Sequence, residues 1–298
     1  MSLTVNKNTV EKKDVKPKIF INLFIITYNN DKALNKALDT LFSSDFINYK
    51  NTQVNIINNY SSIKINDEFI NKINIIQNEG RGDFFNPNLA QNHNQAILFG
   101  FENLNSPKSE IVIHTHNDMV FSKTWVSELI KCMDTYNSVF GSVGDQFVAY
   151  KADAIKRVGL WDENFPGLVH NECDYMLRSF LLNRTGTYIN DPTHGRELNN
   201  EINYKFDEYI RNQENEKSKI ISNAKADLYK LSTKYFWEKW KNCAEDLEPS
   251  YNWLVKWDNI SLFKKLKKLP HNFKLFCKYP FFECNIETLK QQNYMLLD

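Results

Sequence analysis

The 298-residue chain carries almost no net charge, few glycines and prolines, and no long apolar run; each shortage narrows what it can be. With 37 Lys and Arg against 36 Asp and Glu, no global field draws it to a polyanion, so no nucleic-acid partner is expected. No apolar stretch approaches the roughly 18 residues of a membrane-spanning helix. The opening "MSLTVNKNTVEKKDVKPK" lacks the apolar segment of a signal peptide, which predicts a cytoplasmic protein. The five cysteines, Cys132, Cys173, Cys243, Cys277 and Cys284, are odd in number, irregularly spaced and free of any C-x-x-C pair. Neither a zinc ribbon nor a disulfide framework fits them, and they read as reduced thiols. Glycine is absent beyond Gly195.

What is present is an alternation. "IFINLFIITYNN" reads as a buried strand running into a polar turn, and "DKALNKALDTLFSS" follows with helical spacing at Ala33, Leu34, Ala37, Leu38 and Leu41. "QVNIINNYSS" and "INIIQNEG" are further strands, "NLAQNHNQAILFGFENL" is helical, and "EIVIHTHND" is the next strand. Strands apolar along their length and polar at their carboxyl ends predict an α/β fold, a mainly parallel sheet flanked by helices. Ligands of such sheets sit outside the carboxyl ends of the strands, so "TYNN", "NNYSS" and "HTHND" should converge on one cleft. Farther on, "TWVSELIKCMDTY" is an amphipathic helix, "VFGSVGDQFVAYKADAIKRVG" holds a strand then a helix, and "HNECDYMLRSFLLNRTG" is helical. The expected organisation is a polar leader over 1–17, one α/β domain over 18–200, and a helical extension over 201–298.

Several stretches offer chemistry, each with a plainer reading beside it. In "HTHNDMV", an extended backbone puts His114, His116 and Asp118 on one side, a set suited to a divalent ion or to a satisfied polar patch. In "PGLVHNECDYMLRSF", Glu172 and Asp174 open an apolar helical pattern, either as helix-dipole partners or with one of them as a general base. Cys173 between them is a poor nucleophile, because flanking acids raise a thiol pKa. His194, on a loop between Pro192 and Gly195, is solvated or presents a ligand. Trp161 either offers an aromatic face to a ligand or anchors the core. The lysine-rich, aromatic stretch over 262–282 offers a peripheral contact with anionic lipid, or is a solvated face with its apolar side packed.

Taken in order over roughly residues 18–197, these segments resemble the glycosyltransferase family 2 pattern on the GT-A nucleotide-diphospho-sugar transferase fold. "FIITYNN" is similar to the first strand and its Thr-Tyr-Asn turn, which implies donor contacts from Thr27, Tyr28 and Asn29. "VNIINNYSS" is similar to the second strand, with Asn58 where the family's base-reading aspartate stands. "NEGRGDFFNPNLAQNHNQAI" resembles the segment closing over the donor, with Asn92 in the family's asparagine position. "EIVIHTHNDMV" falls where the family carries Asp-x-Asp: His116 replaces the first acid, Asp118 keeps the last, and Asn117 between them joins the donor set. "HNECDYMLRS" resembles the Glu-Asp-x-Asp motif, with Glu172 in the base position and Asp174 as its companion acid. His194 matches a histidine that often adds a metal contact.

The resemblance implies transfer of a sugar from a UDP- or GDP-sugar to a glycan or other hydroxyl acceptor, with inversion. It also implies Mn²⁺ or Mg²⁺ held by Asp118, His116 and His194, with Trp161 lining the acceptor cleft. A nucleotidyltransferase would begin with a Gly-rich phosphate loop, which "TYNNDK" lacks. The alternative is a non-catalytic nucleotide-sugar or glycan-binding protein on the same fold, motivated by the substitutions at Asn58 and His116.

Overall fold

Seven consecutive buried residues make β1 (Ile21–Thr27), and burial on both faces is what allows an unbroken apolar run to serve as a central strand. The computed structural model describes residues 19–78, 89–141, 145–165, 170–172, 174–175, 210–212 and 230–236. The leader 1–17, His194, Cys173 and the basic stretch 262–282 lie outside them. Next come α1 (Asp31–Phe42), β2 (Thr52–Asn58), α2 (Asp67–Ile70), β3 (Asn74–Gln77), α3 (Leu89–Phe101), β4 (Ile111–His116) and β5 (Met119–Phe121). They are followed by α4 (Trp125–Thr135), β6 (Ser138–Gly141), β7 (Phe147–Tyr150), α5 (Ala152–Val158) and β8 (Ile210–Asn212).

Six strands form one sheet in the order β3-β2-β1-β4-β7-β6. The pairs β3-β2, β2-β1 and β1-β4 are parallel, while β7 runs antiparallel to both of its neighbours. Five strands therefore share a direction, the mainly parallel α/β arrangement that the alternation predicts. Strand order reverses at β1, which pairs with β2 on one side and β4 on the other, and that reversal opens a crevice at their carboxyl ends.

The core follows the sequence pattern closely in places. Helix α1 buries Ala33, Leu34, Ala37, Leu38 and Leu41, the face its spacing predicts, and Asn30 caps it by accepting from Ala33 N at 3.2 Å. Helix α3 lies so close to β4 that a Cβ on Gly100 would stand 2.5 Å from Val112 Cγ2. Buried amides in the strands are matched across the sheet: Asn55 Nδ2 donates to Asn22 Oδ1 at 2.6 Å, and Asn74 Nδ2 donates to Asn55 Oδ1 at 3.2 Å.

Three expectations are corrected. Residues 138–150 form two strands of a hairpin, β6 and β7, where the pattern suggested one; four buried residues in each make them too short to show alternation. The strand at "HTHND" stops at His116, and Asn117 and Asp118 form a turn into β5, so Asp118 does not continue the row of His114 and His116. Within the extension expected to be helical, residues 210–212 are β8, paired antiparallel with β5, although residues 230–236 are helical. Among the described residues no helix is long and apolar enough to cross a membrane.

Candidate functional site

The polar ends of β1, β2 and β4 meet as expected. Asn117 N donates to Ile26 O at 3.0 Å and its Nδ2 donates to Thr27 Oγ1 at 2.8 Å, which ties the β4 turn to the end of β1. Asn59 N donates to Thr27 O at 3.0 Å, joining β2 to the same point. Tyr28 and Tyr60 meet edge to face, ring centroids 5.4 Å apart, and Asn29 adopts a left-handed φ of 44°, which an asparagine tolerates well. Thr27, Tyr28, Asn29 and Asn117 thus lie together at the carboxyl ends of β1 and β4.

Asn58 is buried and heavily engaged: its Nδ2 donates to Tyr60 O and to Gln77 Oε1, both at 2.8 Å, and its Oδ1 accepts from Tyr60 N. Both amide hydrogens are used, so only a carbonyl lone pair is left for a ligand. Asn92, on α3, accepts from Asn78 Nδ2 at 3.3 Å, and Asn78 also donates to Asn59 and exchanges bonds with Gln95.

Beside this crevice lies a nest of ionisable groups. His93 from α3 stacks flat on His114 from β4, ring centroids 3.8 Å apart and planes within 2°. Burial lowers the pKa of His93 and His114 well below the usual histidine value, and the neighbouring imidazoles push the same way. His116 is lowered too, by burial, with Asp118 opposing. Asp145, just before β7, is pushed up to about 7 by burial, partly offset by a backbone hydrogen bond, with the charge of Asp118 adding to the rise. Glu172 is pushed up to about 8 by burial first and Asp145 second. His116, Asp118, Asp145 and Glu172 are therefore close enough to feel one another. Both ring nitrogens of His93, His116 Nε2, Asp145 Oδ2 and Glu172 Oε2 are buried without a hydrogen-bond partner among the described residues. Leaving such a group without a partner or water costs about 1–3 kcal/mol.

The second acid of the motif, Asp174, is fully buried, and its N–H donates to His170 O at 2.9 Å, the first helical bond of that segment. His170 has a left-handed φ of 67°, stacks on Phe236 and meets Thr233 Oγ1 at 3.0 Å through Nε2. Helical residues 230–236 thus brace the turn that carries Glu172. Tyr235 adds a donor bond to Asp162 Oδ2 at 2.9 Å.

Trp161 takes the second of its two readings. It is only 2% exposed, stacked on Tyr175 at 4.5 Å with its edge against His93 at 4.6 Å, and its Nε1 donates to Tyr150 OH at 2.8 Å. No face is left for an acceptor sugar.

Four residues escaped the sequence reading: His93, Asn94, Asp145 and Glu163. The signal for His93 was present, because it lies three and four residues from Ala90, Ala96 and Ile97 on the buried face of α3, where a polar residue needs a reason. Asp145 sits in a glycine-containing connection whose approach to β4 only the tertiary fold creates.

No family model matches the chain, and no curated protein matches it in sequence. Among solved structures it is similar to TarS of S. aureus, at 12% identity and a TM-score of 0.40 over 86% of this chain and 50% of that one. The chain thus spans half the length of that TarS chain. It is also similar to TarS 1–349 in complex with UDP, at 12% identity and a TM-score of 0.41 over 92% of each chain. A third similar structure is the mannosyltransferase PcManGT from Pyrobaculum calidifontis in complex with GDP-Man and Mn²⁺, at 12% identity and a TM-score of 0.41 over 91% of this chain and 86% of that one.

Proposed function

We propose that the chain is a glycosyltransferase that moves a sugar from a nucleotide-diphosphate donor to an acceptor hydroxyl, with inversion and with Glu172 as the general base. The observation that carries this reading is the junction of the polar β1, β2 and β4 ends, with the buried Glu172 influenced by Asp145 and Asp145 in turn by Asp118 of the β4 turn. The crevice where Thr27, Tyr28, Asn29 and Asn117 meet is the place where α/β sheets bind nucleotides. Glu172 has a buried oxygen without a hydrogen-bond partner among the described residues and a pKa raised to about 8 by burial first and Asp145 second, the profile of a group that takes up a proton near neutral pH.

In this reading Thr27, Tyr28, Asn29, Asn58, Asn92 and Asn117 orient the nucleotide. Glu172 removes the proton from the acceptor hydroxyl as that oxygen attacks the anomeric carbon on the face opposite the diphosphate. Asp174 fixes the turn on which Glu172 rides. The donor set of Asp118 and His116, an acid and an imidazole with an open Nε2, fits Mn²⁺ or Mg²⁺, with His194 as a further contact. Such an ion, when bound, neutralises charge developing on the departing diphosphate.

A thermal-shift panel of UDP- and GDP-sugars, each with and without Mn²⁺, tests the reading, since a ligand that binds only the folded state raises its stability. Stabilisation by at least one nucleotide sugar together with slow donor hydrolysis is the expected result. Stabilisation without any hydrolysis or transfer would favour a binding protein, and no stabilisation by any member would remove the nucleotide-sugar reading.

A further inference from the structure

We propose that His93, His116 and Asp145 form a site for one divalent transition-metal ion, set on the α3 side of β4. Their ligand atoms all lie within 4.8 Å of one another, and His93 Nε2 stands 4.0 Å from Asp145 Oδ2. Donors about 2.0–2.2 Å from a tetrahedral ion stand roughly 3.3 Å apart, so the set closes on an ion by a movement of under about 1 Å at each residue.

Three independent elements deliver the three groups, and each is held from behind. His93 is fixed by its stack on His114 and by the edge of Trp161. His116, the last residue of β4, is fixed by its N–H donating to Gln146 O at 2.9 Å. The same carbonyl accepts from Thr115 Oγ1 at 3.0 Å, so the connection carrying Asp145 is pinned to β4. Both nitrogens of His93, His116 Nε2 and Asp145 Oδ2 are buried without a hydrogen-bond partner among the described residues. Buried polar atoms are seldom left so, and one cation would engage three of them from three segments: one nitrogen of His93, His116 Nε2 and Asp145 Oδ2.

The chemistry of the set selects the ion. Two imidazoles and one carboxylate suit Mn²⁺, Fe²⁺, Co²⁺ or Zn²⁺, whereas Mg²⁺ takes oxygen ligands and keeps its water. Asp118, close enough to act on both His116 and Asp145, adds negative charge on the flank. His116 Nε2 can bind only one ion, so this set stands in place of the Asp118, His116 and His194 set that the sequence suggested: His93 and Asp145 enter, and His194 is not required. The site stands whether or not the cleft transfers sugar, because its formation needs no donor.

The test is titration of the full chain, without a histidine tag, with Co²⁺ followed by visible absorption, and with Zn²⁺ and Mg²⁺ by calorimetry. One equivalent of Co²⁺ with d–d bands and no thiolate charge-transfer band is expected, displaced by Zn²⁺ and not by equimolar Mg²⁺. His93→Gln and Asp145→Asn should each weaken Co²⁺ binding at least about tenfold, given that even residues behind metal ligands commonly matter that much. Circular dichroism of each variant shows whether it is folded, and if one is not, the other decides. The proposal is overturned by absence of binding at millimolar Co²⁺ and Zn²⁺, by a thiolate band, by equal competition from Mg²⁺, or by unchanged affinity in a folded variant. Each of those results would leave the transferase reading to its own nucleotide-sugar test.

Discussion

The side chain of Asn94 grips the backbone of Trp161 at both ends. Trp161 N donates to Asn94 Oδ1 at 2.8 Å, and Asn94 Nδ2 donates to Trp161 O at 2.9 Å, as a neighbouring strand would. The same Nδ2 reaches Glu163 Oε1 at 2.6 Å. One amide on α3 thus fixes the segment that carries Trp161, Asp162 and Glu163, and with it the wall behind His93.

Asn94→Ala should therefore lower stability by about 2–3 kcal/mol, because it leaves the buried N–H and C=O of Trp161 without their partner. Urea denaturation followed by tryptophan fluorescence measures this. A loss below about 0.5 kcal/mol would mean that the clamp is not a stabilising contact.

Gly100→Ala tests how tightly α3 is pressed on β4. A Cβ there would meet Val112 Cγ2 at 2.5 Å, Val112 Cγ1 at 2.7 Å and Phe24 at 3.2 Å. Neither neighbour has room to withdraw in a packed core, so overpacking should cost about 1–3 kcal/mol despite alanine's better helix propensity. A thermal melt showing equal or higher Tm would contradict the close approach.

Glu172→Gln keeps the shape of the proposed base and removes its basicity. Donor affinity should stay within about twofold while turnover falls by about 10²–10⁴, the usual contribution of a general base. Retention of full transfer activity would take Glu172 out of the mechanism.

Asp118→Ala should weaken binding of a nucleoside diphosphate in the presence of Mn²⁺ and leave binding in its absence almost unchanged. Superimposable calorimetric titrations of wild type and variant with Mn²⁺ would count against a role for Asp118 at the diphosphate.

Glu163 makes stability depend on pH. Burial raises its folded-state pKa to about 7, offset in part by the bond from Asn94 and augmented by Asp162. In the unfolded chain the group ionises near 4.5, the ordinary glutamate value, so the folded state holds its proton longer and stability falls as pH rises from there towards about 7. Glu163→Gln stays neutral and can still accept from Asn94. Its Tm should match wild type at pH 4.5 and exceed it at pH 8, both measured with EDTA. An equal Tm difference at both values would sink this assignment.

Much of the fold was legible because burial writes itself into periodicity. The face of α1 read from spacing is the face that is buried, and the run "INLFIIT" declares a strand covered on both sides. What periodicity cannot carry is a partner distant in sequence. Helix α4 makes no side-chain cap of its own through Thr124; instead Asp45 accepts from Val126 N at 3.1 Å and Ser127 N at 2.9 Å, and Trp125 Nε1 donates to Ser44 Oγ at 2.9 Å. No local pattern could announce that contact.

The candidate site divides along the same line. Local order in the chain determined that β1, β2 and β4 end in polar residues, and a parallel sheet necessarily brings those ends to one edge; Thr27, Asn117 and their neighbours follow from that. Only the tertiary structure decided that His93 lies over His114, that Asp145 arrives beside His116, and that Trp161 turns its ring inward. Those juxtapositions depend on how closely α3 and the β6–β7 connection approach β4, which is set by packing at Gly100 and by hydrogen bonds such as those to Gln146, and by no feature that neighbouring residues in the chain share.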